Sequence, residues 1–83
     1  MHSIQVTKTD GNWKIGLIDG IKFTVKVYEE PSEFGIRGGN VSKLWITGIA
    51  AYDRGWELRA KTPEHKAIVN ELLKYFKNPA NCK

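Results

Sequence analysis

Reactive side chains are scarce in this sequence, and that limits the chemistry it can carry. Its 83 residues include one cysteine, Cys82, and two histidines, His2 and His65. A disulfide within the chain is therefore excluded, and no group of histidine, cysteine and acidic residues has the spacing of a zinc site. We expect no metal and no cofactor.

Long apolar runs are missing as well. The longest nearly uncharged stretch extends from Leu44 to Tyr52, far short of the roughly 20 residues that a membrane helix needs. Residues 1–8 lack the apolar centre of a secretory signal. Together with the single cysteine, these features predict a cytoplasmic protein that does not bind a membrane.

Catalytic signatures are the third absence. No serine lies in a nucleophile-elbow motif, and the glycine-rich segment 35–39 is not followed by the Lys-Ser/Thr pair of a P-loop. A chain of this length buries only about 60% of its unfolded surface, which leaves little room for a catalytic pocket. We therefore expect a single domain, residues 1–83, that is not an enzyme and has no catalytic residues.

What the sequence does contain is large aromatic residues and a modest excess of positive charge. Three Trp, three Tyr and three Phe supply buriable area for a folded core. Thirteen basic residues outnumber nine acidic ones, giving a net charge of +4. This balance permits an acidic partner without requiring one.

Alternating apolar and polar residues predict short strands from the start of the chain. Asp10-Gly11 is a strong hairpin signal, and a two-residue turn there places Val6 opposite Ile15. The expected consequence is that the large apolar residues of the first two strands share one face.

The next turn allows two registers. A two-residue turn at Asp19-Gly20 pairs Leu17 with Lys22 and divides the apolar residues between the two faces. A three-residue loop over residues 19–21 pairs Leu17 with Phe23 and keeps them together. The second register, or an equivalent bulge, is therefore predicted.

The rest of the pattern completes an α+β fold. A loop is predicted over residues 29–40, strand character over 41–52, and a hairpin in which Tyr52 faces Trp56. A helix is predicted to begin after Thr62, a favoured N-cap residue. The expected architecture is an antiparallel sheet of about five short strands, with one C-terminal helix packed on one face.

A basic strip is predicted on the solvent face of the first strands. In the predicted register Lys14 lies opposite Lys26, and Lys22 and Tyr28 share that face. Like charges directly opposite each other destabilise a sheet. The strip is either a solvated surface or a docking strip for phosphates or carboxylates, with Tyr28 as a stacking platform.

Trp45 has the opposite parity from its neighbours Leu44 and Ile46 and shares its predicted face with Ile49. Either a loop covers the back of a central strand, or an aromatic patch is exposed for self-association or for a partner.

Partner contacts are also predicted in the long loop and at the last hairpin. The loop carries Phe34 and Ile36, which either plug the end of the core or project as anchors. Arg37 and Arg54 add the bidentate donors that interfaces favour.

Two segments, EPSEFGIRGGNVSKLWI (Glu30–Ile46) and YDRGW (Tyr52–Trp56), resemble a family of short uncharacterised proteins encoded by phages and prophages. The family has no established activity, so the resemblance assigns a role to no residue. It implies a phage setting in the cytoplasm of an infected or lysogenic bacterium. The expected function is a small non-enzymatic protein that binds a host or phage protein, as an inhibitor of a host defence factor, or that binds a second copy of itself. The alternative is a nucleic-acid or nucleotide binder that uses the basic strip.

Overall fold

The described part of the chain forms one antiparallel sheet with a helix on one side. The computed structural model describes residues 3–28, 36, 39–53 and 55–78. The strands are β1 (Ile4–Asp10), β2 (Trp13–Ile18), β3 (Ile21–Val27), β4 (Val41–Ile46), β5 (Ala50–Asp53) and β6 (Trp56–Leu58), followed by helix α1 (Pro63–Tyr75). They lie in the sheet in chain order, each pairing antiparallel with the next.

The predicted α+β class and C-terminal helix are confirmed, but the described residues form a sheet of six strands rather than about five. The predicted strand segment 41–52 is divided by a tight turn at residues 47–49. Gly48 adopts a left-handed φ of 72°, and the Ile49 amide donates to the Ile46 carbonyl at 2.9 Å. Glycine tolerates this conformation because it has no Cβ.

The first hairpin differs from the predicted register. Its loop is residues 11–12, and a bulge at Thr7 shifts the pairing again, so Val6 lies opposite Gly16 rather than Ile15. The Thr7 hydroxyl donates to the Ile15 carbonyl at 3.1 Å. A one-residue shift in register moves every side chain of a strand to the other face.

The second hairpin has the two-residue turn, so the prediction of a three-residue loop is wrong. Asp19 and Gly20 have φ values of 52° and 82°, and Leu17 pairs with Lys22. Two consecutive left-handed residues are typical of a type I′ turn, whose twist suits a hairpin. Asp19 is also held across the sheet edge, because its carboxylate accepts from the Ser3 amide and its own amide donates to the Ser3 carbonyl, both at 2.8 Å.

The core lies between the sheet and α1. Its buried apolar residues are Ile18, Phe23, Val25, Val27, Ile36, Val41, Leu44, Ile46, Ile49, Ala50, Ile68, Val69, Leu72 and Phe76. Phe23 and Phe76 meet edge to face, with ring centroids 6.2 Å apart. Ile36 is thus a core residue, in agreement with the alternative that it plugs the core. Ile49 is buried and does not lie beside Trp45 on an exposed face.

The helix begins as the sequence predicts. The Thr62 hydroxyl accepts from the His65 amide at 3.1 Å, and Pro63 occupies the first turn. Glu64 in the first turn and Lys74 in the last turn match the helix dipole. These local signals require no tertiary information, and for that reason they were readable from the sequence.

Lys14 occupies an unexpected position in the core layer. It pairs with Val25 rather than with Lys26, and only 2% of its surface is exposed. The prediction that it belongs to a solvent-facing basic strip is wrong, because the type I′ turn reverses the faces of β2. Its neighbours of the same parity, Gly16 and Ile18, are also buried.

We predict that Gly16→Ala destabilises the fold strongly. A Cβ at Gly16 would overlap the Gln5 carbonyl oxygen and lie 2.9 Å from the Val6 Cα, both in the backbone of β1. The expected loss in unfolding free energy is roughly 2 kcal/mol or more, measured by urea denaturation. Gly11→Ala is the control, because a Cβ there meets nothing within 4 Å; its left-handed φ alone should cost about 1 kcal/mol. Equal losses for the two variants would contradict the close approach of β1 to Gly16.

We also predict that Lys14→Met leaves stability unchanged or raises it by about 1 kcal/mol, because methionine fills a similar volume without a charge that needs hydration. Lys22→Met is the control, since Lys22 is exposed and should change stability by less than about 0.5 kcal/mol. Thermal and urea unfolding measure both variants. A loss of more than about 1 kcal/mol in Lys14→Met would mean that the ammonium has a stabilising polar partner.

Candidate functional site

The face of the sheet opposite α1, here called the open face, carries an unusual mixture of aromatic, aliphatic and basic side chains. Strand pairing and alternation assign to it Gln5, Lys8, Asp10, Trp13, Ile15, Leu17, Lys22, Thr24, Lys26, Tyr28, Lys43, Trp45, Ala51, Asp53 and Leu58. It forms because β2 turns its bulky residues away from the helix.

Two tryptophans form the centre of the open face. Trp13 on β2 and Trp45 on β4 stack above the intervening strand β3, with ring centroids 5.9 Å apart and planes inclined by 26°. Both side chains are half-buried. An aromatic pair in this geometry contributes roughly 0.5–1.5 kcal/mol beyond its area burial, so the two rings hold each other in place.

Lys26 links this pair to a third aromatic residue. Its ammonium lies 5.7 Å from the ring centroid of Trp13 and 5.8 Å from that of Tyr28. Both distances fall within the range of a cation–π contact. Tyr28 is itself anchored, since its amide donates to the Asn40 carbonyl and the Asn40 side chain donates to its carbonyl, both at 3.0 Å. The positive charge is therefore held at a defined place beside the aromatic centre.

The charges on the open face are unbalanced. Four lysines (Lys8, Lys22, Lys26 and Lys43) accompany two aspartates (Asp10 and Asp53). The Lys43 ammonium lies 3.4 Å from Asp53 Oδ1, an ion pair at about one-third exposure that solvent screens. Asp53 Oδ1 is itself buried and makes no hydrogen bond among the described residues. Its contact with Lys43 is therefore an ion pair without a hydrogen bond. The described residues of this face therefore carry a net positive charge.

Apolar area surrounds the tryptophan pair. Ile15 and Leu17 are half-buried although they lie on the side away from the helix, and Tyr28 and Leu58 each expose 38% of their surface. No described element packs on this face of the sheet, and large apolar side chains in such a position are typical of interaction surfaces.

Several of the predicted site residues do come together. Lys22, Lys26, Tyr28 and Trp45 share the open face, whereas Lys14 lies on the other side of the sheet. Ile36 is buried with 4% exposure and is not available as a projecting anchor. The predicted contacts Phe34, Arg37 and Arg54 lie outside the described residues.

The sequence interpretation missed Trp13, Ile15, Leu17 and Lys43 as members of this surface. The sequence pattern predicted the first three on the helix side of the sheet, because they are apolar and alternate along the strand so that they share one face. The signal that could have corrected this was Asp19-Gly20, whose preference for a type I′ turn sets the other register.

Other site types find little support in the described part of the chain. Its residues include no group of three histidine, cysteine, aspartate or glutamate side chains that could hold a metal ion. Its single helix is too short and too polar to cross a membrane.

Comparison with known proteins gives one match. A family model described as a domain of unknown function, DUF7678, matches residues 10–77, which include the helix and all of the open face except Gln5 and Lys8. No curated protein and no solved structure matches the chain. Since the match covers most of the sequence, the chain belongs to the DUF7678 family.

Proposed function

We propose that this protein is a non-catalytic binding module that docks an acidic protein partner on its open face. The observation that carries the proposal is the stacked pair of Trp13 and Trp45 with Lys26 held against it. Tryptophan is among the residues most enriched at the energetic centres of protein interfaces.

The layout of the face supports a protein partner. Protein interfaces have a centre that is poor in charge and rich in aromatic residues, surrounded by a polar rim. Here Trp13, Trp45 and Ile15 form the centre. Lysines and aspartates lie around them, and their excess of positive charge favours an acidic surface.

A second copy of the chain fits this face less well. Two copies joined through their open faces would place two surfaces of net positive charge against each other. Like charges brought together at an interface cost several kcal/mol. A homodimer is therefore the weaker form of the proposal.

Nucleic acid is the second candidate, favoured by the grouping of Lys22, Lys26 and Tyr28 on one face. Three features weigh against it. The Trp13 and Trp45 rings stack on each other, which leaves less ring surface for bases. Lys14 is buried on the other side. Two aspartates share the face and would repel phosphates.

The biological setting follows from the resemblance to phage-encoded proteins. The proposed partner is a host or phage protein in the bacterial cytoplasm, and inhibition of a host defence factor is the proposed consequence of binding. Phe34, Arg37 and Arg54 remain proposed secondary contacts.

We predict that Trp45→Ala and Lys26→Glu each weaken binding to the true partner by about tenfold or more, because the first removes a half-buried aromatic anchor and the second reverses a charge. The matched control is Lys77→Glu, the same charge change at an exposed residue just beyond the helix. Capture from bacterial lysate, quantified by mass spectrometry at two salt concentrations, measures the effect, and circular dichroism verifies folding. A partner retained equally by all three variants would show that the open face is not its docking surface.

Oligonucleotide binding separates the two candidates. We predict no measurable binding to single- or double-stranded DNA or RNA in fluorescence anisotropy at about 50 mM salt. If phosphates do bind Lys22, Lys26 and Lys43, log affinity must fall with log salt with a slope of about −2 to −3. Binding with that slope, lost in Lys26→Glu and kept in Lys77→Glu, would replace the protein partner with a nucleic acid.

A further inference from the structure

A groove separates the last strand of the sheet from the helix, on the side opposite the open face. It has a volume of about 340 Å³, and its lining residues are Trp56, Arg59, Ala60, Lys66, Val69 and Asn70. Neither the family match nor the proposed docking surface assigns a role to it.

The walls of the groove are held in place by both elements. Trp56 is the first residue of β6 and pairs with Tyr52. The two rings pack edge to face, with their centroids 5.0 Å apart. On the helix, Lys66, Val69 and Asn70 follow the i, i+3, i+4 spacing, which places them on one face. Val69 belongs to the buried core between the helix and the sheet, and this packing holds the helix wall of the groove in place.

Its chemistry combines an apolar floor with a cationic rim. Trp56, Ala60 and Val69 provide the apolar surface, and Arg59 and Lys66, both exposed, provide two positive charges. None of the described lining residues carries a carboxylate that would neutralise them. Guanidinium groups bind carboxylates and phosphates through paired hydrogen bonds, and an ammonium adds a point charge.

We propose that this groove is a ligand site for a small aromatic anion, one or two rings that carry a phosphate or a carboxylate. The ring packs against Trp56 and Val69, while the anionic group binds Arg59 and Lys66. The volume lies at the lower end of the range for small-molecule sites, which limits the ligand to about this size. The site is independent of the open face, because the two surfaces lie on opposite sides of the sheet and share no residue.

The test is a titration of the full chain, labelled with ¹⁵N, followed by two-dimensional NMR. The probes are phenyl phosphate, benzoate, inorganic phosphate and neutral benzyl alcohol. We expect saturable shifts of the Trp56 indole and of the Val69 and Asn70 amides with phenyl phosphate or benzoate, and the tighter of the two identifies the anionic group. Inorganic phosphate, which lacks the ring, and benzyl alcohol, which lacks the charge, should each bind at least about tenfold more weakly.

Substitutions then assign the charges. Arg59→Gln should weaken binding of the tighter probe by roughly tenfold or more, and Lys66→Gln by a smaller factor, since a charge-assisted hydrogen bond is lost in each. Lys22→Gln on the open face is the matched control and should leave affinity unchanged. A dispersed spectrum verifies that each variant is folded.

Three results would overturn the proposal. The first is no saturable shift up to about 10 mM probe. The second is binding of benzyl alcohol as tight as that of the anions. The third is a set of shifts centred on Trp13 and Trp45, which would place the ligand on the open face. None of these results bears on whether the open face binds a protein, so the two proposals fail separately.

Discussion

The register of β2 is the constraint on which the rest of this structure depends. The type I′ turn at Asp19-Gly20 determines which side of the strand meets the helix, and the bulge at Thr7 adjusts the pairing of β1 to it. Because side chains alternate with a period of two, a one-residue change in register exchanges the faces of all side chains of the strand. The observed register buries Lys14 and Gly16 on the core side of the sheet and places Trp13 on the opposite side.

The core tolerates that choice because the other elements compensate. The central strand β3 turns Phe23 inward, where it meets Phe76 at the end of the helix, and β4 adds Leu44 and Ile46. Gly16, which lacks a side chain, allows β1 and β2 to approach closely at the point where a Cβ would overlap the neighbouring backbone. As a result, the large apolar side chains of β2 lie on the open face, and this strand contributes little apolar volume to the core.

Two chemically different surfaces result from one sheet. The open face is broad and aromatic, with lysines around a tryptophan pair, and suits a large partner. The groove beside β6 is small and bounded by the helix, with Arg59 and Lys66 at its rim, and suits a small ligand. Both surfaces are available because the core of the described residues is confined to the layer between sheet and helix.

Local signals alone determined much of this fold. The Thr62-Pro63 helix start, the α+β class and the pairing of Tyr52 with Trp56 depend on neighbouring residues and were readable from the sequence. The grouping of Lys22, Lys26 and Tyr28 was also predictable, since all three lie on one strand segment with a period of two. The face of β2 that packs towards the helix was not predicted. One face carries Trp13, Ile15 and Leu17, and the other carries Lys14, Gly16 and Ile18. Hydrophobicity favours burying the first set. The assembled sheet buries the second set, because two features outweighed the apolar pattern of a single strand: the turn at Asp19-Gly20, which the sequence does signal, and the close approach of β1 at Gly16, which it does not.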